Sequence, residues 1–240
     1  MHLASTLAHS VVLATVAAAG VFLSPSAFAY TVSEGFDSGV PATWSQQNNS
    51  SPSGPSVWTQ GVAALSPAHS GAVNSFIVVN FQSGSGVSTL SNWLWTPTLT
   101  VTPSSQLSFY TRTSANPASF PDRLEVRWSD ASTPSPGTTA TDVGTFSTLL
   151  LSINPSLTAT GYPATWTAYT YNFSGLTAPS TGNLAFRYFV TNGGPAGTSS
   201  SIIGLDTLSI TNAVPEPSSY ALMAMGLVAL GVFAKGTRRS

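Results

Sequence analysis

Between Tyr30 and Ala213 the chain never sustains apolar residues at helical spacing. Short β-branched and aromatic runs alternate instead with clusters of Gly, Pro, Ser and Asn. That pattern predicts an all-β sandwich or barrel. Eight strands stand out: Ser75–Gln82, Thr89–Trp95, Gln106–Thr113, Asp122–Ser129, Phe146–Ile153, Trp166–Phe173, Asn183–Val190 and Leu205–Thr211. Three of them alternate cleanly. Leu107, Phe109 and Thr111 oppose Ser108, Tyr110 and Arg112; Leu124, Val126 and Trp128 oppose Arg123, Glu125 and Arg127. Leu184, Phe186, Tyr188 and Val190 oppose Ala185, Arg187 and Phe189. Successive side chains of a strand point to opposite faces, so one face of each is apolar enough to enter a core. Gly193-Gly194-Pro195 reads as a turn, and the Ser/Thr/Pro-rich segments Asn48–Ser56 and Asp130–Gly144 read as mobile loops.

Both ends break this pattern. Val11–Leu23 is an almost unbroken apolar run, followed by Ala27-Phe28-Ala29, whose small residues at 27 and 29 suit a signal peptidase and place the mature start at Tyr30. The n-region is unusual in having His2 and His9 but no Lys or Arg. At the other end Tyr220–Ala234 carries no charge and is followed by Lys235, Arg238 and Arg239. As a helix it would span roughly 22 Å at about 1.5 Å per residue, against a hydrocarbon core of ~30 Å. It could span by thinning the bilayer, with the basic end cytoplasmic. The division is thus residues 1–29 as a signal peptide, 30–213 as the β domain and 214–240 as a C-terminal membrane signal.

Composition narrows the classes. Charged residues make up 6% of the 240, against about 25% in an ordinary soluble domain. Ser and Thr together supply 68 hydroxyls. Residues 30–213 hold four Arg, seven acidic residues and no Lys. Binding nucleic acid takes a concentration of basic residues, so that class is excluded. The absence of Cys excludes disulfides, thiolate metal sites and a thiol nucleophile.

The order Val214-Pro215-Glu216-Pro217, a short apolar helix and a terminal KGTRRS resembles the PEP-CTERM sorting signal. The resemblance makes Pro215, Glu216, Pro217, Arg238 and Arg239 the sorting motif. It implies an exosortase as partner, C-terminal processing, a membrane helix before processing, and export to the cell envelope or beyond in association with exopolysaccharide or biofilm. Within the β domain, EGFDSGVPATWS, NWLWTPTL, LSFYTRT, DRLEVRWS, and FRYFV followed by IIGLDTLSIT resemble, in order, the blocks of the choice-of-anchor J family. That family is related to cleaved-adhesin and MAM-like domains, which implies an antiparallel jelly-roll sandwich and brings no established enzymatic activity.

Candidate chemistry is sparse. His69 is the one His in residues 30–213, and a hydrolase would need it beside a Ser, with Asp37, Asp122 or Asp206 orienting it. No G-x-S-x-G elbow accompanies it, so no catalytic residues are assigned. Glu125 lies between Arg123 and Arg127, which favours its ionised form and an ion-paired role over a general acid. Glu34, Asp37 and Asp206 come from the two ends of the domain and form a candidate calcium site if the terminal strands are neighbours. If the strands carrying them pair, Tyr110, Arg112, Glu125, Arg127 and Arg187 share one polar sheet surface able to bind sugars or acidic polysaccharide. The six Trp at 44, 58, 93, 95, 128 and 166 are sugar platforms or, more simply, core. The resulting expectation is an exported, non-catalytic surface or matrix protein, with a carbohydrate-binding module and a secreted hydrolase as alternatives.

Overall fold

The computed structural model describes residues 31–63, 66–114 and 120–212. The expected signal peptide with Ala27 and Ala29, and the tail with Pro215, Glu216, Pro217, Arg238, Arg239 and its expected apolar helix, lie outside the described residues. The described chain forms strands β1 (Thr31–Glu34), β2 (Ser45–Asn48), β3 (Ser51–Ser53), β4 (Thr59–Gln60) and β5 (Ile77–Asn80). There follow β6 (Gly84–Trp95), β7 (Leu99–Val101), β8 (Ser105–Thr113) and β9 (Leu124–Ser129). β10 (Thr148–Ile153), β11 (Thr167–Asn172), β12 (Ser180–Gly193) and β13 (Ile202–Asn212) complete the set. Each of the eight expected strands has a counterpart here. The five further strands are short ones of two to four residues, too brief to show a period.

Two antiparallel sheets pack face to face. One is ordered β11-β8-β13-β5-β4, with β1 also paired to β13; the other is ordered β10-β9-β12-β6-β2, with β3 on β6 and β7 on β12. The alternating apolar positions meet between them. Leu107 and Phe109 of β8 face Leu124 and Val126 of β9 and Leu184, Phe186 and Val190 of β12, all fully buried. Phe109 and Phe186 join the sheets edge to face, with ring centroids 5.3 Å apart. In β13 the inward series Ile203, Leu205, Leu208, Ile210 skips a residue at Thr207, where the register with β8 shifts. Thr207 takes the left-handed φ of 50°, a costly conformation for a β-branched residue. The Asp206 carboxylate offsets this by accepting from the Thr207 backbone N–H at 2.5 Å. The bulge keeps leucines inward on both sides of it while Asp206 points outward.

One buried group ties the sheets together from within. Asp122, two residues before β9, is fully buried and forms no ion pair among the described residues. It accepts from the Tyr188 hydroxyl of β12 at 2.5 Å, from the Ser201 backbone N–H at 2.8 Å, and from the Thr113 hydroxyl of β8. Burial pushes its carboxyl above the usual range, and the three donors pull it partly back. The same burial raises the Tyr188 and Tyr162 hydroxyls.

Replacing Asp122 with Ala strands the Tyr188 hydroxyl and the Ser201 N–H without an acceptor, which should cost about 3–5 kcal/mol in urea denaturation. The pH dependence carries a definite sign. Asp122 and Asp206 both have raised values in the folded state, so between the ordinary carboxylate range and those values the folded protein binds more protons than the unfolded one. Stability contributed by these groups is therefore present at low pH and is lost as pH rises through that window. Asp122→Asn should flatten this falling limb, and Asp206 should supply what remains; urea midpoints measured between about pH 4 and pH 7 test it.

Candidate functional site

The residues expected to share one ligand face lie on two. Tyr110 and Arg112 project from β8, in one sheet; Glu125, Arg127 and Arg187 project from β9 and β12, in the other. Alternation correctly sets each outward from the core. However, the chain crosses between sheets on leaving β8, so the two groups sit on opposite outer surfaces of the sandwich.

The β9–β12 face is closed. Arg187 is only 1% exposed although it points away from the core. Its Nη1 donates to Glu125 Oε2 at 3.2 Å, its Nε to Ser91 Oγ at 3.0 Å and its Nη2 to the Ala140 carbonyl at 2.6 Å. The guanidinium lies 3.6 Å from the centroid of Phe189 and 4.8 Å from that of Trp93. Arg127 Nε donates to the same Glu125 oxygen at 2.8 Å, so one carboxylate serves two arginines. Burial pulls the Arg187 guanidinium down to about 10, an effect that Glu125 opposes. It stays charged at neutral pH.

The cover is the segment Asp130–Gly144, expected to be a mobile loop, together with Phe146, expected to open a strand. Ala140 supplies the carbonyl to Arg187, and Phe146 packs on Trp93 and Trp95 at 5.6 and 5.9 Å. Gln47 and Asn49 both donate to the Gly137 carbonyl at 3.0 Å. Residues 130–146 are therefore docked, because a buried guanidinium requires acceptors and the carbonyls of this segment provide them. Trp93 is buried for the same reason, under this cover rather than in the core between the sheets.

The β8–β13 face is partly roofed by Ser66–Phe76. Register sets Tyr110 opposite Asp206 and Arg112 opposite Gly204. The His69 ring stacks on Tyr110 with centroids 3.5 Å apart, and its Nδ1 lies 2.9 Å from Thr207 Oγ1. Trp166 Nε1 donates to the Pro67 carbonyl at 2.9 Å. A Cβ on Gly204 would come within 2.8 Å of the Trp166 ring, so glycine is what lets that ring approach. Arg112 is half-buried: its Nε donates to the Thr113 carbonyl at 3.0 Å and its Nη1 to Ser66 Oγ at 2.5 Å. Every ion pair among the described residues involves Glu125, and Arg112 makes none. A small cleft of about 60 Å³ opens beside it, lined by Ser66, Phe76, Ser114, Ile202 and Gly204 among others.

Two further candidate groupings are not assembled. Asp206 accepts from the backbone N–H of His69 at 2.7 Å and of Ser70 at 3.2 Å, not from the imidazole, so the acid–base order of a hydrolytic triad is missing. Its other oxygen accepts from the Thr207 N–H and hydroxyl, which leaves no lone pair directed at a cation. Glu34 accepts from Phe36 N–H at 2.7 Å and lines a surface pocket with Asp37 that does not include Asp206. Among the described residues no three His, Cys, Asp or Glu side chains gather to hold a metal ion, so the expected calcium set of Glu34, Asp37 and Asp206 is not brought together.

Glu125→Gln should destabilise the protein by about 3 kcal/mol in calorimetry, because it leaves Arg187 buried without a counter-charge. Arg127→Gln should cost clearly less, since Arg187 still neutralises Glu125. Equal losses would show that the buried arginine does not depend on this carboxylate.

Comparison with known proteins places both parts of the chain. Residues 213–239 match the family model described as the PEP-CTERM protein-sorting motif. The structure is similar to the K1 cleaved adhesin domain of Lys-gingipain from Porphyromonas gingivalis W83, with TM-score 0.52 and 23% identity, covering 75% of this chain and 97% of that one. It is also similar to the K3 cleaved adhesin domain of the same protein, with TM-score 0.50 and 20% identity, covering 76% and 98%. No curated protein matches the chain in sequence. The chain thus carries a PEP-CTERM sorting motif after an antiparallel β-sandwich similar in fold to cleaved adhesin domains.

Proposed function

We propose that this chain is an exported, non-catalytic surface or extracellular-matrix protein. It is a jelly roll of the choice-of-anchor J type, released by a signal peptidase, sorted and cut by an exosortase, and associated with exopolysaccharide. The observation that carries this reading is the sorting-motif match at residues 213–239, directly after β13 ends at Asn212. The chemistry of the domain supports it. Asp122, Glu125 and Asp206 are committed to donors inside the fold, which suits a structural or binding module better than a pair of carboxylates exchanging protons.

A second reading concerns ligand binding and rests on Arg112. A half-buried guanidinium held by two hydrogen bonds, with donors left over and no carboxylate beside it, suits an acidic group of a polysaccharide, with Tyr110 and His69 alongside. The Glu125, Arg127 and Arg187 part of the expected face is covered and does not enter this reading.

Intact mass and terminal sequencing of the protein from an exosortase-bearing host should give a form that begins at Tyr30 and lacks the basic tail. A mass equal to residues 30–240 overturns C-terminal processing. Replacing Pro215, Glu216 and Pro217 together with Ala should leave the tail in place and hold the protein in the membrane fraction. For the second reading, Arg112→Ala should weaken retardation in an alginate-containing gel at least fivefold; unchanged retardation removes it.

A further inference from the structure

A groove of about 280 Å³ opens at the end of the sandwich, where β5 leaves its sheet, β9 begins and β12 turns back into β13. It is lined by Phe81, Phe120, Gly194, Pro195, Ser200 and Ser201. Phe81 is 37% exposed and Phe120 46%. Single exposed apolar residues need no explanation, but two benzyl rings on the walls of one concavity are a different matter, because each forgoes burial that the fold grants nearly every other phenylalanine here.

The Phe81 wall and the Ser200–Ser201 side of the groove are preformed. Phe81 follows Asn80, whose side chain caps the 3-10 turn Phe81–Ser83, and the Phe81 N–H donates to the Ser201 carbonyl at 2.8 Å. Ser201 is held in turn by Asp122 through its N–H, and by Ser114 through its hydroxyl at 3.1 Å. Ser200 N–H donates to the Pro121 carbonyl at 3.0 Å, and Ser200 Oγ accepts from the Gly194 N–H at 2.9 Å. Ser200 holds a left-handed φ of 74° to make these contacts, a strain that the surrounding bonds sustain. Little ordering remains to be done on binding.

The lining selects the ligand. None of the six residues is charged, so an ion has no counterpart there, and Arg112 does not line the groove. Besides the rings, the lining is backbone and hydroxyl of Gly194, Pro195, Ser200 and Ser201; the N–H groups of Gly194, Ser200 and Ser201 are engaged inside the fold, while an oxygen that takes part in one bond keeps a lone pair that can accept from a ligand hydroxyl. A molecule with an apolar C–H face and an uncharged hydroxyl rim satisfies both, and the volume lies just below the ~300–1,000 Å³ of ordinary small-molecule sites. We propose that this groove binds a neutral sugar unit of an extracellular polysaccharide, with Phe81 and Phe120 stacking on its C–H faces and the oxygens of the Pro195 and Ser201 rims accepting from its hydroxyls. The proposal rests on the polysaccharide association above, but uses a different surface and the opposite charge requirement from the Arg112 cleft.

Affinity gel electrophoresis of the protein purified from the cell envelope tests it, with dextran, galactan, mannan and hydroxyethylcellulose as neutral probes and alginate as the acidic one. At least one neutral polymer should retard the protein. That retardation should weaken at least tenfold in Phe81→Ala and in Phe120→Ala, with melting temperature unchanged, and should persist in Leu149→Ala, which removes an exposed apolar side chain of β10 outside the groove. Retardation that survives in the Phe81→Ala/Phe120→Ala double variant overturns the proposal. Retardation by alginate alone overturns it while the polysaccharide association stands; retardation by none of the five overturns both.

Discussion

The interaction on which the rest of the structure depends is the burial of the Asp122 carboxylate without a cation. A lone carboxylate in a sandwich core is costly unless every lone pair is met, and here Thr113, Tyr188 and Ser201 meet it from β8, β12 and the approach to β13. These donors come from both sheets, so the group acts as a directional tie where the hydrophobic contacts around it are non-directional. The tie also reaches the surface. Ser201, fixed by Asp122, in turn fixes Phe81 through a backbone hydrogen bond, so the wall of the end groove inherits its position from the core.

The two outer faces show how a domain with so few charges uses them. On one, a single carboxylate balances two arginines, and residues 130–146 close over them with carbonyls and aromatic rings. Every charge there is satisfied inside the protein. On the other, Arg112 keeps donors in reserve beside a small cleft, and Asp206 is spent on holding the roof segment through His69 and Ser70. The first face is closed, whereas the second and the end of the sandwich keep open concavities.

Much of this was legible from alternation. Leu107 and Phe109, Leu124 and Val126, and Leu184 and Phe186 are inward in the structure as their period of two requires, because the pleat that sets the period is local to each strand. The ion-paired role of Glu125 was also legible, since Arg127 lies two residues away on the same face. Sheet partnership was not. β8 and β9 are consecutive and similarly patterned, yet one lies in each sheet, and nothing in either strand records the crossing between them. The docked segment 130–146 was hidden for another reason: what holds it are backbone carbonyls of Gly137 and Ala140, which every residue carries. The end groove has no signature in the sequence, because Phe81 falls just past β5 and Phe120 in the segment before β9, where no periodicity marks a face.

By itself, then, the amino-acid order determined the all-β class, the inward face of the three cleanly alternating strands and the sorting tail, all of which are written in short-range spacing. Only the tertiary structure decided which outward residues are neighbours, that Arg187 is buried while Arg112 is not, and that two phenylalanines 39 positions apart share one groove. Those outcomes depend on how strands distribute between two sheets and on which distant acceptors satisfy a buried donor. They are free-energy balances over the whole chain, with no local signature to read.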